Sequence, residues 1–498
     1  RRRGRDAPPP PAADAANEHD VPETLRKAIE ASAAWTPPGP VDHAAQMASV
    51  PPDRDFSSFR RQIDRWVAEG VVTPFPEGSV CELLFRSRRE EDADDDDATE
   101  DDNAAAAATA RLRPVRTGGA SSAETYYGVG GMGSIPLAMR DRCLSFDAAG
   151  ENDDRSFRIR QDVWVSPSNG VQYIGDVNDD GPKWELFANG QSMGRFHKLV
   201  IAHNGKCADR IMSQTPAKEL HSLLRTRFAP YVPRWGGKEM TLNSIYSLVF
   251  VAKGGCLDDA LRKLSSGSAD DPLPYTIMIK NEPNLRLLSC NTRKHKHKLN
   301  PRNDNSQVWT LLSSPQFGKQ FKGPQENLPP ALVETVTIEM LTSLERALNI
   351  PKGTIAEAVK DVKLQLWGAA VPMNTWRTAA IDGRVDGFVY DAIHGVGACG
   401  DWILDPSIAG AWESGRRLAD WIARGEDTVS VGLPASAASF GDVGKFYPSR
   451  AAAESGIGTV PSSYSNVGYV AASEGTNGKP KRRNNYRNNG KTNYGKTN

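Results

Sequence analysis

Between Gly397 and Ile422 the chain reads GACGDWILDPSIAGAWESGRRLADWI, a short apolar run closed by Gly-Asp, a brief loop, then a stretch with helical spacing. A strand that ends in an acid and hands over to a helix opening on small residues is a strong constraint, because open α/β sheets bind ligands outside the carboxyl ends of their strands. The acid can accept hydrogen bonds from hydroxyls, and the helix start offers unpaired N–H groups and the positive end of its dipole. The plainer reading is a strand-turn-helix in which Asp401 caps the helix.

Around this segment the periodicity divides the chain. FSSFRRQIDRWVAEGVV from Phe56 places Phe59, Ile63, Trp66 and Val67 on one helical face. The segments FRIRQDVWVS, VQYIGDV and KWELFANG alternate as strands of a meander, and HKLVIAHN has the consecutive apolar residues of a buried strand. From Thr241 come SIYSLVFVAKG, YTIMIKN, LRLLSCNT, VWTLLSS and VKLQLWGAAV, with the helical PALVETVTIEMLTSLERAL between the last two. Together they predict a mostly antiparallel sheet with helices over 211–370, flanked by α/β layers.

The fingerprint G-x-G-x-x-G occurs twice, at Gly128–Gly133 and Gly395–Gly400. It cradles a pyrophosphate only where an apolar strand delivers it to a helix start. Before Gly128 stands SSAETYY, too polar for a central strand, and GVGACG itself reads as the strand. A nicotinamide-dependent dehydrogenase built on GVGGMG is therefore disfavoured. CNTRKHKHK sets His295 and His297 beside Cys290, but Arg293, Lys294, Lys296 and Lys298 would repel a metal cation. VFVAKGGCLDDALRK, with Lys253 and Cys256, lacks the G-K-[ST] of a phosphate loop.

Basic and acidic residues balance at 61 each, so the overall field gives no reason to expect nucleic acid as a partner. The imbalance is local: an acidic run at Glu90–Asp102 and a basic, Asn-rich end from Lys479 both lack apolar periodicity and predict solvated segments. Six scattered cysteines point to a reducing, intracellular compartment, cytoplasmic or organellar, with a plastid among the options. No apolar run is long enough to span a membrane.

Taken in order, VDHAAQMAS, YYGVGGMGSIPLAM, KLVIAHN, WTLLSSPQF, LWGAAVP and GACGDWILDPSIAGAWESGRRLADWI resemble the renalase-like FAD-dependent oxidoreductases, a branch of the amine-oxidase-like flavoproteins. The resemblance covers roughly residues 1–425. It implies an α/β (α+β) fold: an interrupted FAD/NAD(P)-binding Rossmann-like domain with an antiparallel-sheet substrate domain. The expected divisions are an FAD-domain remnant at 1–55, a helical substrate-domain segment at 56–124 carrying a disordered acidic insert at 88–120, FAD-binding segments at 125–210 and 371–427, the antiparallel substrate domain at 211–370, and a disordered tail at 428–498. The chain opens on RRRGRD, which resembles the end of the loop that follows the family's phosphate-binding βαβ unit, so that unit is expected to be missing from this sequence.

The family resemblance also implies the chemistry: oxidation of a small molecule, a reduced nicotinamide dinucleotide isomer or an amine, by hydride transfer to FAD, with O2 as acceptor. It assigns Arg2, Arg3, Asp42, Ala45, Gln46, Gly400, Asp401, Gly410, Ala411 and Ser414 to the cofactor, with Gly410 and Ala411 leaving room for its close approach. His43 and Trp367 are placed at the substrate, although a satisfied loop histidine and a core tryptophan are the plainer readings. Neither is taken as a catalytic base, since the flavin supplies the chemistry. The competing class is a non-catalytic interaction protein that has lost FAD binding.

Overall fold

A computed structural model of the chain describes residues 21–449 other than 38, 53–55, 86–109, 116–123, 149–156, 176–180, 231, 233–236, 266–271, 296–304, 379–385 and 435–443. The fold is mixed α/β, and its largest element is a seven-stranded sheet. The strand order is Val359–Trp367, Ile245–Ala252, Gln307–Ser313, Leu285–Cys290, Thr276–Lys280, Val80–Phe85, Ala110–Pro114. All neighbours are antiparallel except Thr276–Lys280 with Val80–Phe85. Every residue of Ile245–Ala252 and Leu285–Cys290 is buried. Both faces of the sheet are covered, so Ile245–Ala252 reads as an apolar run broken only by Ser247, while Leu285–Cys290 takes Arg286 and Ser289 into the interior with their donors bonded to the Glu282 and Tyr275 carbonyls. The edge strand Val359–Trp367 alternates instead, with Val362, Leu364 and Leu366 inward.

On one face, the helix Pro330–Ala347 lays Val336, Met340, Leu341, Leu344 and Ala347 into a core shared with Tyr246, Leu248, Leu288, Trp309 and Leu311. Pro330 opens that helix, where a missing N–H costs nothing. On the other face, Val249, Val251 and Val308 meet Trp35 and Val41, and Ile245, Leu287 and Leu312 meet Met47. Trp35, Val41 and Met47 are thus pressed against the large sheet, and their neighbours at 42–46 inherit that position.

Smaller sheets carry the rest. Leu199–Ile201 and Val396–Ala398 pair in parallel, with Val389–Asp391 antiparallel beyond. Ala48–Val50, Glu124–Gly128 and Val72–Pro74 form an antiparallel trio with Glu124–Gly128 in the centre. The polar SSAETYY stretch therefore does lead into a central strand. It can because the sheet is small: Tyr126 is buried while its hydroxyl reaches Glu124 at 2.9 Å.

Several expected boundaries move. Helix Ser57–Ala68 buries Phe59, Ile63 and Trp66, while Val67 at the rim is 38% exposed. The helix packs with Ala48, Val50, Tyr126, Ala409 and Trp412 rather than with the large sheet, so the segment 56–124 is shared between two layers. Of the insert at 88–120, Ala110–Pro114 forms the outer strand of the large sheet, with Leu112 buried in the core and Ala110 partly buried against it; residues 88–109 and 116–120 lie outside the described residues. Of the tail at 428–498, Gly444–Pro448 pairs with Asn374–Thr378, and Phe446 is fully buried on Trp376 and Trp402. The basic end from Lys479 lies outside the described residues, as do Arg2 and Arg3. FRIRQDVWVS gives no strand; only Val165 makes a bridge, to Ala188.

Because Leu311 is fully buried at the centre of the large core, Leu311→Ala should destabilise the chain by about 2–5 kcal/mol. Urea unfolding followed by circular dichroism measures this; a loss well under 1 kcal/mol would contradict the packing described.

Candidate functional site

Both strands of the parallel pair end at one place. After Val396–Ala398 come Cys399, Gly400 and Asp401; after Leu199–Ile201 come Ala202, His203 and Asn204. Asn204 Nδ2 donates to Asp401 Oδ1 at 2.9 Å, tying the two strand ends together. Burial pushes the Asp401 carboxyl up to about 6, with the Asn204 hydrogen bond pulling against it. Ser414, inside the last helix Ile408–Ala423, accepts from Gly400 N at 3.0 Å and donates to the Gly387 carbonyl at 2.6 Å. Ser414 thus fixes the backbone on which Asp401 stands.

The helix start is not free. Ser407, not Asp401, is the cap: its hydroxyl accepts from Gly410 N at 3.1 Å, and its carbonyl accepts from Ala411 N at 3.0 Å. A Cβ at Gly410 would stand 1.9 Å from the Asp405 carbonyl oxygen. The absence of a side chain at Gly410 serves the chain's own turn, and Ala411 beside it is exposed.

Asp42 and Gln46 meet in a second constellation. Asp42 Oδ1 accepts from Met132 N at 2.6 Å, and Oδ2 from Lys294 Nζ at 2.8 Å. Lys294 also donates to Gln46 Oε1 at 2.9 Å, and Gln46 Nε2 returns to the Asp42 carbonyl at 2.7 Å. That carbonyl takes a further bond from Thr310 Oγ1 at 2.8 Å, while Asp42 N donates to Asn291 Oδ1 at 3.2 Å. The ion pair is out of reach of solvent, with side-chain exposures of 0% for Lys294 and 3% for Asp42. Burial alone would raise the Asp42 carboxyl, but His295, Lys294 and the Met132 N–H outweigh it and hold it below the ordinary value. Burial holds Lys294 low, and Asp42 offsets part of that. His295 Nε2 stands 3.6 Å from Asp42 Oδ2, too long for a hydrogen bond.

This knot also accounts for GVGGMG. Gly131 N bonds back to Gly128 O, Gly128 N meets Met132 Sδ, and Met132 N goes to Asp42. Gly131 has φ of 98° and its missing Cβ would lie 3.2 Å from Asp42 Oδ1. The loop is closed around a carboxylate of the same chain rather than held open for a phosphate.

The other expected residues scatter around these two centres. Ala45 is exposed. His43 holds the Ser247 hydroxyl through its carbonyl, and its buried Nδ1 has no hydrogen-bond partner among the described residues; burial and Lys363 keep the imidazole below its ordinary value. Trp367 ends the edge strand of the large sheet opposite Ile245, partly buried, its Nε1 likewise without a partner among the described residues. Lys294, Asn291, Thr310 and Asn204 were not singled out as site residues. The first three carry no sequence signal, since the knot joins residues some 250 positions apart. Asn204, the polar residue closing an apolar strand, could have been found by the reasoning that selected Asp401. Among the described residues no group of three His, Cys, Asp or Glu side chains could hold a metal, and no helix is long and apolar enough to cross a membrane.

No protein-family model and no curated protein matches the chain. Solved structures with partial similarity include cyclohexylamine oxidase from Brevibacterium oxydans IH-35A, at 12% identity over 62% of this chain and 56% of that one, TM-score 0.35. A cofactor-binding redesign of putrescine oxidase is 15% identical over 60% and 54%, TM-score 0.34, so the chain spans little more than half the length of either amine oxidase. 2,6-Dihydroxypyridine-3-hydroxylase from Arthrobacter nicotinovorans is 12% identical over 80% and 81%, TM-score 0.36. With scores this low, these likenesses assign neither fold nor activity to the chain.

Two measurements check the geometry. Lys294→Met strands the Asp42 carboxylate in the interior and should cost about 3–5 kcal/mol, most of which the double variant Asp42→Asn/Lys294→Met recovers; equal losses in both would show that the charges are not paired. For Asp401, a folded value of about 6 against an ordinary 3.8 means that the proton is held more tightly when folded. Its contribution is therefore present below pH 3.8 and lost as pH rises through about 6. Relative to Asp401→Asn, the parent chain should lose about 1–3 kcal/mol between pH 4 and 7. Parallel pH profiles of the two chains would contradict this.

Proposed function

We propose that the chain is an FAD-dependent oxidoreductase that oxidises a small molecule by hydride transfer to the flavin, with O2 as the acceptor. The observation that carries this reading is the parallel pair whose carboxyl ends are joined by Asn204 and Asp401. A crevice at such strand ends is where open α/β sheets hold nucleotides. Asp401 has a carboxylate oxygen beyond the one used by Asn204, and it is suited to accept from a ribose or ribityl hydroxyl. Asn204 would hold that carboxylate in one orientation, and Ser414 would keep Gly400 and Asp401 in place through the Gly400 N–H.

The fit is one-sided. Asp42 and Gln46 spend their side chains on Lys294, and Gly410 and Ala411 spend their N–H groups on Ser407. The FAD contacts in this reading are therefore Asn204, Gly400 and Asp401, with Ser414 behind them. Bound flavin would supply the redox chemistry, and the chain would supply position. The same commitments favour a second reading, a non-catalytic binding protein with this architecture.

FAD titration of the purified chain, followed by flavin fluorescence and the visible spectrum, separates the two. The oxidoreductase reading expects saturable uptake that Asp401→Ala weakens by about tenfold or more, the loss of one charge-assisted hydrogen bond. No uptake of FAD would sink it and leave the binding protein.

A further inference from the structure

Two glycines are seated on one turn of the chain. The strand Met240–Leu242 runs into Asn243 and Ser244. A Cβ on Gly205 would lie 3.4 Å from Leu242 Cδ1, and one on Gly318 would lie 2.1 Å from the Ser244 carbonyl oxygen. The residues after these glycines are Lys206, in the first turn of helix Gly205–Ser213, and Lys319, in helix Pro315–Gln320. A third cation completes the group. Phe228 is the register partner of Leu242, and Lys322 Nζ stands 4.6 Å from the centroid of the Phe228 ring.

All three ammonium groups belong to exposed residues, and among the described residues none has a carboxylate at ion-pair distance. Burial of its stem, then repulsion by Lys206 and Lys319, holds Lys322 below the ordinary lysine range. Like charges gathered beside one connection of the chain, without a counter-ion among the described residues, are poised to take one from solution. The place matters as well. Lys206 is two residues after Asn204, the partner of Asp401, and the missing Cβ of Gly205 faces Ala369 at 3.2 Å, two residues beyond Trp367. The cluster stands between the strand-end crevice and the Trp367 edge of the large sheet.

We infer that Lys206, Lys319 and Lys322 form the recognition site for an anionic group on the substrate, a phosphate or a carboxylate carried by a small molecule. The substrate identity rests on the oxidoreductase reading above; the anion site itself does not. A substrate with a second positive charge, such as a diamine, would be repelled at this rim. An anion would be drawn toward the crevice and held with its oxidisable end pointing inward.

The test is calorimetric titration of the purified chain, in low-salt buffer, with inorganic pyrophosphate and separately with succinate, beside the variant K206Q/K319Q/K322Q. The three side chains are exposed, so the variant should keep the parent's circular dichroism and melting temperature. The inference expects at least one anion to bind with a Kd of about 1 mM or tighter, and the variant to bind it at least about tenfold more weakly. Pyrophosphate alone would identify the group as a phosphate, succinate alone as a carboxylate. Failure of both to bind by about 10 mM, or equal affinity in parent and variant, overturns it. FAD uptake without anion binding sinks this inference alone, whereas lysine-dependent anion binding without FAD uptake sinks the oxidoreductase reading alone.

Discussion

The arrangement hangs on one buried ion pair. Lys294 follows the strand Leu285–Cys290 of the large sheet in a single helical turn, and Asp42 belongs to the loop pressed on that sheet's opposite face. Removing two charges from water costs several kcal/mol each, and the pair is tolerable only because its oxygens and protons are answered by Met132, Gln46 and each other. The loop continues into Ala48–Val50, which shares a core with Ala409 and Trp412 of the last helix. The position of that helix against the large sheet is therefore transmitted through Asp42. A hydrophobic contact of equal strength would not define a single register, whereas a carboxylate held at one oxygen by the Met132 N–H and at the other by the Lys294 ammonium does.

Much of the architecture could be read from residue pattern. The mostly apolar runs of the large sheet, the helix laid over it and the strand character of GVGACG all follow from periodicity that burial enforces. What escaped is equally physical. A three-stranded sheet needs little apolar length, so Glu124–Gly128 could be central while looking polar. Ala110–Pro114 was hidden because one inward leucine, Leu112, and the small Ala110 beside it are all that an outer strand requires.

The site was legible in type more than in role. Asp401 stands where a strand-end acid should, yet the cap is Ser407 and the partner is Asn204. Asp42 and Gln46 were expected at the cofactor; their side chains meet Lys294 instead, and no spacing rule could pair them with a lysine contributed by a distant strand end. Of the basic run Arg293–Lys298, Lys294 is interior, and its counter-charge Asp42 comes from elsewhere in the chain.

The strand Gly444–Pro448 gives the crevice an order of assembly. Phe446 is the hydrophobic backing for Trp402, the residue after Asp401, and for Trp376 on the strand it joins. During synthesis from the N-terminus, the large sheet has all its strands once Trp367 has emerged from the ribosome, and it can close while the crevice is still open at the back. The acid at the strand end then waits for a strand that emerges more than forty residues after it. Nascent chains halted between these two points would present a finished β-layer beside a strand-end acid that still lacks its hydrophobic backing, a state that proteases and chaperones would meet before the fold is complete.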